Sequence, residues 1–81
     1  MEIKSHKELT YDSIDFITDI IAGEEDPVLS DADKVDAIKR NVSHLQTIKK
    51  GNYFDLSKFT SQDLAAIDAA IAAGNTYIDS L

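Results

Sequence analysis

The chain has 81 residues, no cysteine, one proline and a formal net charge of −7, which bounds it to a single small domain over 1–81, held by a core without covalent staples. Disulfide scaffolds and thiolate metal cages are excluded, and a pI near 4.5 argues against general binding to nucleic acid or anionic membranes. No apolar run approaches the ~20 residues of a membrane span, and Met1-Glu2-Ile3-Lys4-Ser5-His6-Lys7 lacks the apolar stretch of a signal peptide, so a cytoplasmic protein is expected.

With 43% hydrophobic residues, the chain should fold rather than stay disordered. Its charge is sorted into three blocks. Residues 1–33 carry ten acids and two lysines, net −8; residues 34–50 carry Lys34, Lys39, Arg40, Lys49 and Lys50 against Asp36, net +4; residues 51–81 carry four acids and Lys58, net −3. Segregation of this kind bears on packing and on partners rather than on chemistry.

The spacing predicts a first helix over about 10–22, with Thr10 as N-cap and Leu9 and Ile14 spaced as a hydrophobic staple. At about 100° per residue, Ile14, Phe16, Ile17, Ile20 and Ile21 share one broad arc, and Asp12, Asp15 and Asp19 lie on the other side. Gly23 is placed to cap the helix C-terminally in the left-handed conformation. A turn follows at Glu24-Glu25-Asp26-Pro27.

Ser30 caps a second predicted helix over about 31–50, whose stripe is Val35, Ile38, Val42, Leu45 and Ile48. Asp31 and Asp33 stand at its positive end, and Lys49 and Lys50 at its negative end, as the helix dipole favours. Asp36 and Arg40 are spaced to pair along its surface. The 52–59 connector, with Tyr53, Phe54, Leu56 and Phe59, is too apolar to lie in water and is expected to pack over the helices.

Thr60 caps a third helix over about 61–73, with Asp63 three residues on and Leu64, Ile67 and Ile71 as its stripe. Gly74-Asn75 predicts a stop or kink there, followed by a short turn or helix extension to Leu81. The expected architecture is therefore an all-α, three-helix bundle.

Catalytic chemistry has little to build on. His6 sits in a polar leader, His44 projects from the second helix away from its apolar stripe, and no nucleophile-elbow sequence is present. The 31–36 segment lacks the central glycine and terminal glutamate of a calcium loop. The cations of the second helix are scattered by phase and interleaved with no aromatic, so a nucleic-acid surface is not expected. Asp79-Ser80-Leu81 matches the tripeptide of acyl carrier proteins, where the serine opens a helix at a phosphate; here only one residue follows the serine, and no carrier is expected.

The sequence is thus read as a protein without enzymatic activity, cofactor or metal. The leading expectation is an interaction module presenting an acidic surface (Asp12, Asp15, Asp19, Glu24, Glu25, Asp26) to a basic protein partner. The alternatives are a structural subunit of an oligomer or larger assembly, of the size seen among phage accessory proteins, contacting its neighbours through Tyr53, Phe54, Leu56 and Phe59, and an acidic inhibitor that imitates nucleic-acid charge.

Overall fold

Three apolar stripes on one short chain leave water only by facing one another. In the computed structural model, which describes residues 5–50 and 59–81, they do so as α1 (His6–Ala22), α2 (Asp31–Lys50) and α3 (Ser61–Ser80). Each helix packs on both others, and no strand occurs among the described residues. Lys7 and Tyr11 reach Asp63, at the start of α3. Ser13 meets His44 near the far end of α2, and Lys49 meets Asp68. The helices therefore run up, down and up.

Ile20, Ile38, Leu45, Ile48 and Ile67 are 0% exposed and Ile17 is 1% exposed. Burying one such side chain is worth about 2 kcal/mol relative to leaving it in water. Half-buried Ile14, Leu29, Phe59, Leu64, Ile71, Tyr77 and Ile78 pack around this centre. The expected stripes thus supply the core, with Ala37 and Ala70 added, but Phe16 and Ile21, expected on the α1 arc, are 40% and 37% exposed, because the arc is wider than the contact the other two helices cover. Among the described residues, no helix is long and apolar enough to cross a membrane.

The first helix starts earlier than the 10–22 expectation. Ser5 is its N-cap, in an extended conformation (φ −68°, ψ 161°), and its Oγ accepts the backbone N–H of Glu8 at 3.1 Å. Thr10 is instead inside the helix, 1% exposed, its hydroxyl donating to the His6 carbonyl at 2.7 Å. Leu9 is 40% exposed and staples nothing. The extra turn wins because it carries Lys7 to Asp63, a contact that a helix beginning at Thr10 would forgo.

Other ends follow their signals. Gly23 takes φ 74° and ψ 22°; its N–H bonds to Ile20 O at 3.2 Å and that of Glu24 to Asp19 O at 2.8 Å, a Schellman closure. The 23–30 link contains a cis Asp26–Pro27 bond. The Asp33 N–H donates to Ser30 Oγ at 3.2 Å. At α3 the capping box is complete: Thr60 Oγ1 accepts from Asp63 N at 3.1 Å, and Asp63 Oδ2 accepts from Thr60 N at 2.8 Å.

The expected stop at Gly74 is overturned, for α3 runs unbroken to Ser80. Gly74 is buried, and a Cβ there would stand 3.0 Å from Cγ2 of both Ile38 and Val42 and 3.6 Å from Cγ2 of Ile17. At this glycine side chains of both other helices come up against the α3 backbone. Helical phase carries Tyr77 and Ile78 back onto the core, and that burial outweighs the ~1 kcal/mol weakness of a mid-helix glycine. Ser80, the serine of the carrier-like tripeptide, ends α3 with its hydroxyl donating to the Tyr77 carbonyl at 2.7 Å.

Substitution at Gly74 separates these two effects. Gly74→Ala gains up to ~1 kcal/mol of helix propensity but crowds two branched side chains, at a cost of ~1–3 kcal/mol. We expect net destabilisation by denaturant melts, larger still for Gly74→Val. Asn75→Ala, at the exposed neighbouring position, should raise the midpoint. A stabilised Gly74→Ala would show that the junction yields freely.

Candidate functional site

Beginning α1 at His6 changes what its outer face displays. At about 100° per residue, Glu8, Asp12, Asp15 and Asp19 fall within about 60° of one another, opposite the buried Ile17. All four are exposed. Glu8 was missed by sequence reasoning, although Ser5 followed three residues later by Glu8 is itself a capping-box signature. Its carboxylate also accepts from Ser5 Oγ at 3.4 Å.

Past the Gly23 cap, the exposed Glu24 and Asp26 continue the negative surface. Glu25 does not, and its place in the expected binding surface is corrected here. It is 6% exposed, because in this non-helical link successive side chains leave the backbone on different sides, and Glu25 turns inward. The Lys34 ammonium stands 3.6 Å from its Oε2, close enough for charge compensation but beyond a hydrogen bond, and neither carboxylate oxygen has a hydrogen-bond partner.

Tyr53, Phe54 and Leu56, expected as assembly contacts, lie outside the described residues. Phe59, the fourth, is half-buried against the chain's own core, so its side chain is largely committed to folding.

Much of the positive charge is matched within the bundle. Besides Lys34 with Glu25, Arg40 pairs with Asp36 at 2.6 Å, Lys49 with Asp68 at 2.6 Å and Lys7 with Asp63 at 2.8 Å. The partners in these four pairs come from outside the α1 stripe. The exposed Arg40–Asp36 and Lys49–Asp68 pairs contribute ~0–1 kcal/mol each; their effect is on the shape of the field.

Asp63 is the most engaged carboxylate. Only 6% exposed, it receives the Lys7 ammonium and the Thr60 N–H on Oδ2, each at 2.8 Å, and the Tyr11 hydroxyl on Oδ1 at 2.5 Å. The Lys7 contact above all, then Tyr11 and the Thr60 N–H, hold its carboxyl far below the ordinary 3.8 despite opposing burial. The same bond raises the Tyr11 phenol above its usual 10.0, helped by burial and the negative charge of Asp63. This cluster fastens the N-terminal turns of α1 and α3.

His44 is not the solvated side chain its phase suggested. It is half-buried, with Nδ1 2.9 Å from Ser13 Oγ. A serine beside a histidine has the composition of an activated nucleophile, but Ser13 is 7% exposed and sealed into the α1–α2 contact. The pair serves to join helices. No three acidic or histidine side chains converge as a metal site among the described residues.

Between α1 and α2 lies an open groove of about 390 Å³, lined by Phe16, Leu29, Asp33, Ala37, Arg40 and Asn41. A second, of about 420 Å³, runs between α1 and α3 past Ile21, Ala72, Ala73 and Tyr77. In comparisons with known proteins the chain matches no family model, no curated protein and no solved structure.

The Asp63 cluster has a pH signature. A carboxylate whose folded pKa lies below its unfolded value binds fewer protons folded than unfolded, so its stabilisation is complete above the unfolded pKa and drains away as pH falls from 3.8 towards the folded value. The stability gap between wild type and Asp63→Asn should be wide at neutral pH and close progressively below 3.8. Lys7→Met should move the acid limb of the melting profile to higher pH. A gap constant across acid pH would mean that Asp63 acts only through shape.

Proposed function

We propose that this protein is a non-catalytic interaction module that presents the outer face of α1 to a basic surface on a protein partner. The observation that carries the reading is the in-phase, exposed row Glu8, Asp12, Asp15 and Asp19, prolonged by Glu24 and Asp26. Like charges on one face raise a negative potential that steers a cationic partner and orients it. In water, row and partner attract weakly per pair; desolvation at a contact strengthens them. A cytoplasmic setting is proposed with it, on the absence of cysteine.

A second reading, a subunit of an oligomer or larger assembly, is favoured by one feature of α3. Ala65, Ala69, Ala72 and Ala73 are exposed along one side of it, and small side chains allow another helix to come close.

The test is capture of partners from native lysate by wild type and by an Asp12→Asn/Asp15→Asn/Asp19→Asn variant. The expected outcome is a partner retained at low salt, released as ionic strength rises towards about 0.5 M, where the Debye length falls below ~5 Å, and lost from the variant. Equal recovery by both proteins would remove the acidic face from the function. A wild-type particle that dissociates on dilution in light scattering would favour the subunit reading.

A further inference from the structure

Phe16 is a large aromatic side chain left 40% exposed in a chain that has only three phenylalanines. Helical phase puts it on the flank of α1 that faces α2, the flank from which Ser13 bonds His44. Leu9, also 40% exposed, lies seven residues earlier on the same flank, two turns away. Phe16 forms one wall of the α1–α2 groove, with Leu29 and Ala37 supplying apolar surface opposite and Asp33, Arg40 and Asn41 its polar edge. Outward of Phe16 by helical phase stand Asp12 and Asp19, at about 40° and 60°, and beyond them Glu8 and Asp15, at about 80° and 100°.

The two rims differ in charge. On the α1 side the groove wall is Phe16, and the charges next outward from it are those of Asp12 and Asp19. On the α2 rim Arg40 is already paired with Asp36 at 2.6 Å, and Asp33 leaves that side negative as well. Lys39 lies about 160° around α2 from both Ala37 and Asn41, away from the groove. An occupant therefore meets an apolar floor, with Asp33 beside the paired Arg40 at one edge and Asp12 and Asp19 outward of Phe16 at the other.

We propose that the α1–α2 groove seats a basic amphipathic helix of a partner protein, with apolar residues against Phe16, Leu29 and Ala37 and cations along the α1 row. This inference rests on the reading of the acidic face as a protein-binding surface and specifies what that surface takes. The row covers about three helical turns, or ~16 Å, longer than a small ligand reaches while filling the groove. Among peptide-recognition modes, strand addition needs a free sheet edge, and no strand occurs among the described residues. A polyproline ligand needs a floor of several aromatics, and among the described residues the groove has Phe16 alone. A helix with apolar residues two turns apart matches the Leu9–Phe16 spacing, and flanking lysines or arginines match the row. A second copy of this chain, at −7, would bring like charge to like.

The test uses the full-length ¹⁵N-labelled protein and three synthetic peptides of about four turns. One has lysine and arginine on one face and leucines two turns apart on the other; the second is its scramble, equal in composition and charge; the third carries glutamate in place of the cations. The amphipathic cationic peptide should shift amides along α1 and the first half of α2. It should bind at least tenfold more tightly than the scramble and weaken as salt rises, and the acidic peptide should not bind. Phe16→Ser should lower its affinity about tenfold, as loss of a central aromatic anchor does, and a thermal melt checks that this variant folds; the shift map of the unmutated protein decides the case whichever way the variant behaves.

Equal binding of the cationic peptide and its scramble, or shifts confined to the acidic row, would overturn the groove and leave the acidic-face reading standing. No binding of either cationic peptide would overturn both. Concentration-dependent shifts at the groove in the protein alone would make a second copy the occupant and overturn the partner helix.

Discussion

The bundle closes around Gly74. There α3 has no side chain, and Ile38, Val42 and Ile17 reach to within 3.0–3.6 Å of where one would begin. A chain this short, without a cross-link, has to hide three stripes in one core, and it does so by letting three helices meet where one is bare backbone. The large residues Ile20, Leu45, Ile48 and Ile67 are then fully buried. Had α3 ended at its glycine, Tyr77 and Ile78 would have had no core to cover, and the upper end of the bundle would stand open.

Charge is arranged around that closure in two ways. Inside and between helices, cations and acids are brought together: Lys34 with Glu25 at the α1–α2 corner, Lys49 with Asp68 across α2 and α3, and Lys7 and Tyr11 on Asp63. The contacts of Glu25 and Asp63 help set the register of the helices, because a buried carboxylate left without compensation would cost far more than a mismatched surface pair. On the outer face of α1 the acids are aligned in phase and exposed. The three blocks of charge in the sequence therefore resolve into pairs between and along the helices and an exposed acidic row on α1, and the row is what the proposed function uses.

Several features were legible because they are local. Gly23, Ser30 and Thr60 announce their caps through residues within three or four positions, and the isoleucine stripes announce the core through the 3.6-residue period alone. Where two local signals competed, packing chose. Thr10 and Ser5 both qualify as caps, and Ser5 prevails because the longer helix reaches Asp63. Gly74-Asn75 is a sound stop signal, set aside because Ile78 regains the core. Glu25 and Glu24 are indistinguishable as letters, yet one is sealed and the other exposed, a difference made by the backbone beyond Gly23. His44 departs from the apolar stripe by phase, and only the approach of α1 gives it Ser13.

By itself the sequence determined that this is an all-α chain with three amphipathic helices, the caps at Gly23, Ser30 and Thr60, and the acids on the outer side of the first helix. Periodicity and capping act over a few residues, and every letter they need is contiguous. The tertiary structure alone decided where α1 begins, that α3 runs through its glycine, that Asp63 gathers Lys7 and Tyr11, that Glu25 is hidden, and that Phe16 remains half in water beside the acidic row. Each of these depends on which helix lies against which, and that is settled by the joint burial of three stripes rather than by any one of them.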